Sequence, residues 1–204
     1  MDVFDVINTQ RAIRSFRPDP VPDELIHRVL DAAIRAPSGG NLQPWTFLVL
    51  RDPAVRERVS DLYSRAAVLY SERMAAQDQG GGPPARSASA SYTSGVSQAP
   101  VLILACIHHS GSRGSLVHGG HIYPAVQTMM LAARALGLGT VMTTLYRVLE
   151  REIKEMLGIP ENVDTAALIP LGYPAEGTRF GPKTRKPVED VTYVDRWGGD
   201  PVRA

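Results

Sequence analysis

The sequence predicts one domain of mixed helices and strands, α/β or α+β, on three observations. Apolar residues recur at helical spacing in several stretches, with short runs of branched and aromatic residues between them. No internal repeat and no break in composition divides the 204 residues. A chain of this length buries about 70% of its unfolded surface, enough for one core or a core completed by a partner.

Val3 to Asn8 reads as a short opening helix behind Asp2, a candidate N-cap. Three prolines between Arg17 and Pro22 exclude regular structure. A helix then starts at Asp23, with Leu25, Ile26, Val29, Leu30, Ala33 and Ile34 on its apolar side and Asp23 and Glu24 at its positive end. Pro37 stops it. Trp45 to Leu50 reads as a strand and Pro53 to about Gln77 as a helix.

Gln79 to Gly95 is rich in Gly, Pro, Ser and Ala and poor in large apolar groups. Such a stretch buries too little to offset its ordering entropy, which predicts a mobile loop or a lid at 79–95. Val101 to Ile107 is apolar without alternation, as in a strand covered on both faces. Ile122 to Leu136 reads as a helix apolar nearly all round, suited to a core centre or a subunit interface. A strand at Thr140 to Thr144, a helix at Arg147 to Leu157 closed by Gly158 and Pro160, and a strand at Asp164 to Leu171 follow. Gly172 to Ala204 reads as an extended tail with few core residues.

With 22 basic and 21 acidic side chains the formal charge is +1, which argues against a nucleic-acid partner. The single cysteine, Cys106, excludes an intrachain disulfide and reads as a core residue. The longest purely apolar run, Val101 to Ile107, is far short of the ~20 residues that span a bilayer. Met1 to Ile13 has no signal-peptide pattern. The expectation is a cytoplasmic protein with no membrane partner.

No acid, base or nucleophile constellation stands out, so no catalytic residue is assigned. His108, His109, His118 and His121 have no Asp, Glu or Cys interspersed at metal-ligand spacing and read as loop histidines, with no metal site expected. Gly137 and Gly139 follow a helix, and the triple glycine at 80–82 precedes two prolines; neither is a phosphate-binding fingerprint. Arg11, Arg14 and Arg17 near one end, and Lys183, Arg185 and Lys186 near the other, are either solvated charge or two halves of a phosphate site. Ala36-Pro-Ser-Gly-Gly-Asn-Leu-Gln-Pro-Trp45 is either an elaborate turn or the polar edge of a site for a planar heterocycle.

Five stretches, in order, resemble the nitroreductase family of FMN-dependent oxidoreductases: Arg11–Phe16, Ala36–Trp45, Leu131–Thr140, Ile169–Pro174 and Lys183–Pro187. Only about 59–99 is left unmatched. The resemblance implies a single α+β domain over 1–204 with three layers, a central mixed sheet flanked by helices. It also implies a homodimer with FMN at the interface and a C-terminal extension, 172–204, exchanged across it. Arg11, Arg14, Lys183 and Arg185 then resemble phosphate and ribityl contacts. Pro37, Ser38, Gly39 and Asn41 resemble the flavin-contacting turn, often reaching across the dimer. Gly139 and Thr140 match the backbone near the reactive face of the ring.

Three features depart from the family pattern. Ala12 stands where Ser is frequent, removing a phosphate hydroxyl, and Thr128 stands where Asn is common. The residues meeting the pyrimidine edge have no clear counterpart, Gln98 and Arg73 being the candidates. The implied activity passes a hydride from NAD(P)H through the flavin to an electron-poor acceptor, such as a nitroaromatic or quinone, by a ping-pong mechanism. Related alternatives are a flavin-binding or sensor module without turnover, and dehalogenating or flavin-fragmenting enzymes on the same fold.

Overall fold

The computed structural model describes residues 1–77, 90–109 and 116–202. The unbroken apolar run of the sequence becomes β2 (Val101–His108), an inner strand of a four-stranded sheet. Its neighbours are β1 (Trp45–Leu50) and β4 (Val163–Gly172), and the short β3 (Gly139–Thr140) closes the order β1-β2-β4-β3. Side chains alternate across a strand, and here both faces are covered. Val101, Ile103, Ala105 and Ile107 enter a core with α2 (Asp23–Ala33) and α5 (Leu116–Ala135). Leu102, Leu104 and Cys106 enter a second core with α3 (Pro53–Gln77), α4 (Ala90–Gln98) and α6 (Glu150–Leu157). Helices on both faces of one sheet give three layers and an α+β fold.

The four strands pair antiparallel throughout, and the parallel component of the sheet is a single bridge, Ala12 to Thr140. A shift of register at Ala105/Cys106 leaves Ala166 as the extra residue on β4, so Ala166 and Ala167 both enter the first core.

Local chemistry explains most element ends. The Asp2 carboxylate accepts from the Phe4 and Asp5 N–H groups at 2.6 and 3.0 Å, capping α1 (Val3–Thr9), and these bonds hold its pKa below the usual carboxylate value. Gly158, with φ +66°, ends α6 in the left-handed region.

Four segments differ from expectation. Helix α5 begins at Leu116 rather than Ile122, running through Gly119, Gly120 and Pro124. The Thr128 hydroxyl donates back to the Pro124 carbonyl at 2.8 Å, so Thr128 serves its own helix. The strand expected at 140–144 shrinks to Gly139–Thr140 plus a lone bridge from Thr143 to Leu168. The first turn of the helix expected from Arg147 is a 3-10 turn at Leu145–Leu149. Within the segment read as a loop at 79–95, residues from Ala90 onward are helical, because Val96 and the following Ala99 pack into the second core; 79–89 lie outside the described residues. No described helix is long and apolar enough to cross a membrane.

Candidate functional site

The chain ends pair, which brings Lys183 to the segment that carries Arg11. Buried Ile13 and Phe16 pull the segment after α1 onto the second core, beside β3. The Ile13 N–H donates to the Thr140 carbonyl at 2.9 Å. A Cβ on Gly139 would lie 2.7 Å from Ile13 Cγ2, so this approach requires glycine. On the other side runs the start of the tail. Arg17 N–H donates to Tyr173 O, Ala175 N–H to Ser15 O and Gly181 N–H to Thr9 O, at 2.9 to 3.0 Å. The Arg134 guanidinium covers the Phe180 ring at 4.1 Å and donates to the Thr9 hydroxyl at 3.0 Å.

Lys183 therefore arrives at the end of α1. Its Nζ donates to the Ile7 carbonyl at 3.0 Å and to the Gln10 carbonyl. Burial, and then the nearby Arg185, hold its pKa below the ordinary lysine value. Arg11, Ala12 and Ile13 line a cleft of about 320 Å³ with Gly177, Thr178 and Arg179. Arg11 and Arg179 at this cleft, with Lys183 at the neighbouring Gln10 carbonyl, are cations of the kind that suit a phosphate. Arg179 was not singled out in the sequence; its signal was its position in the same basic tail as Lys183. Ala12 contributes main chain, through its bridge to Thr140. Gly95 of α4 lies against Arg14, where a Cβ would come within 3.2 Å of Arg14 Cα, and exposed Gln98 is one turn further on. Arg73 is exposed near the end of α3.

The segment 36–45 is both an elaborate turn and an exposed polar edge. The Asn41 N–H donates to Ser38 O at 2.9 Å, and the Gln43 N–H to the Ser38 hydroxyl at 3.0 Å. The Gln43 side chain donates to Asn41 Oδ1 at 3.1 Å. Gly40, Asn41 and Gln43 have φ of 59°, 54° and 48°, and left-handed backbone at two non-glycine residues is the kind of strain found at ligand contacts. Pro37, Gly39 and Asn41 are exposed, as is Leu42 at 72%. One bond ties the turn to α5: the Gly39 N–H donates to His121 Nδ1 at 3.1 Å.

These two groups do not meet within one chain. The basic group borders β3 and the turn leads into β1, at opposite edges of the sheet. Four strand spacings separate them, roughly 19 Å. Thr140 pairs with Leu171, whereas Trp45 pairs with Ile107 at the level of Asp164, so they also sit at opposite ends of the sheet.

His108 and His109 have separate partners. His108 Nε2 is 3.0 Å from the Thr46 hydroxyl, and the buried side chain of His109 lies 3.4 Å from Asp164. Burial pushes the Cys106 thiol up to about 12, with Glu150 adding to the shift, and burial also raises Tyr146.

The nitroreductase family model matches residues 7–173. The chain belongs to the nitroreductase family. A Methanothermobacter thermautotrophicus protein named NADH dehydrogenase/NAD(P)H nitroreductase is 34% identical over 205 residues, 97% of this chain and 88% of the relative. Iodotyrosine deiodinase of Danio rerio is 28% identical over 92% of this chain and 65% of its own length. Among solved structures, a BluB-like flavoprotein from Clostridium difficile 630 superposes with a TM-score of 0.78 at 23% identity, covering 96% of this chain and all of the other. Nitroreductase-family proteins are oxidoreductases that generally use flavin and are typically dimeric.

Proposed function

We propose that this protein is an FMN-dependent oxidoreductase that carries reducing equivalents from NAD(P)H to an electron-poor acceptor such as a nitroaromatic or quinone. The observation that carries the proposal is the convergence of Lys183 and Arg185 on the segment at Gln10 and Arg11. A bound flavin supplies two-electron chemistry, and the protein's part is to bind, orient and tune it. Arg11, Lys183 and Arg185 hold the phosphate, with Arg14 toward the ribityl chain. The Gly139–Thr140 backbone lies beneath the reactive face. The Pro37–Asn41 turn of a second copy covers the ring, because within one chain that turn lies across the sheet. A homodimer is further supported by apolar surface that one chain leaves uncovered, including Phe4, Val188, Val191 and Trp197. Donor and acceptor use one slot in turn, which gives ping-pong kinetics.

Purified protein is expected to be yellow and to bleach anaerobically with NADH or NADPH. Yellow protein indifferent to both overturns the reductase reading in favour of a binding module. The deiodinase relatives, matching over 92% of the chain, support reductive dehalogenation as a second reading. Halide release from a halophenol by dithionite-reduced protein, without nitroaromatic turnover, would favour it.

A further inference from the structure

We infer that His121 is a positioning residue, whose Nδ1 anchors the Pro37–Asn41 turn in the shape it offers to the flavin; this rests on the reading of that turn as a flavin contact. Gly39 supplies an N–H and so is the donor of the 3.1 Å bond between them. The acceptor, Nδ1, therefore carries no proton.

A second contact accompanies this bond. A Cβ on Gly39 would come within 2.9 Å of His121 Cε1, so the imidazole lies against the main chain of the turn as well as at its amide. Only a side chain that leaves Gly39 bare and presents an acceptor at this point satisfies both.

The bonds among Ser38, Asn41 and Gln43 close the turn on itself and do not reach α5. His121 follows Gly119 and Gly120, both weak helix formers, and precedes Pro124. Pro124 has no N–H, so the Gly120 carbonyl lacks its usual helical donor. The Gly39–His121 bond joins a strained turn to a loosely specified helical segment 82 residues away. It therefore sets where the exposed face of the turn points.

The test uses full-length protein and two substitutions. His121→Phe keeps a ring and removes the acceptor; His121→Asn places an amide oxygen near the position of Nδ1. Hydrogen exchange at the Gly39 amide is read by NMR without flavin, and FMN affinity by fluorescence titration. In His121→Phe the amide is expected to exchange roughly tenfold faster and FMN to bind roughly 2- to 13-fold more weakly, the range of one net hydrogen bond. His121→Asn is expected to recover most of both. His121→Ala gives the same readout should the phenyl ring disturb packing. Unchanged Gly39 exchange in both His121→Phe and His121→Ala overturns the proposal, as do equal losses in His121→Asn and His121→Phe. Faster exchange with unchanged FMN affinity upholds the anchor and overturns instead the reading of the turn as a flavin contact.

Discussion

Lys183 is one of the points where the two ends of the chain touch. Its ammonium caps the last turn of α1 through the Ile7 and Gln10 carbonyls, a favourable place for a cation. Burial and Arg185 hold its pKa below 10.5, and a phosphate alongside would oppose both by favouring the charged form. The free protein then sheds this proton at a lower pH than the complex does. FMN affinity is therefore expected to fall as pH rises through the window below 10.5, and Lys183→Met should flatten that fall in a titration series. Arg11→Ala removes a charge-assisted bond of about 1.5–3 kcal/mol and should weaken FMN binding roughly 10- to 150-fold by the same measurement. Cys106 makes a separate prediction. With its thiol pushed up to about 12, it should resist a disulfide reagent at pH 8 in native protein and react only in denaturant; rapid native reaction would contradict its burial.

Among elements, β2 is the most legible in the sequence, because a strand buried on both faces writes itself as an unbroken apolar run. Leu104, 1% exposed at its centre, should cost about 2–5 kcal/mol on substitution by Ala, read from denaturant unfolding. Helix α4 is much less legible. Its Ser and Gly content reads as loop, yet Gly95 is there because α4 lies against Arg14, a tertiary contact with no local trace. The early start of α5 is also hidden, since Gly119, Gly120 and Pro124 are poor helix formers. For the site, the sequence shows both basic clusters and the turn, but not their arrangement. The clusters converge through main-chain pairing of 9–17 with 173–181, and the turn is tied by His121, whose role has no pattern in sequence.

At the scale of the whole molecule, the basic group and the turn lie at opposite edges and opposite ends of one sheet. A flavin that needs both must lie between two copies, each supplying one half. Mixed dimers test this most directly. An Arg11→Ala chain is co-expressed with a Gly40→Val chain, the latter forcing a β-branched residue into the left-handed position at φ 59°. If the halves come from different copies, one site of the mixed dimer receives both defects and the other receives none. The predicted result is one FMN per two chains, bound as tightly as in wild type. Two equally weakened sites in the mixed dimer, or a wild-type monomer that binds FMN unaided, would contradict the account.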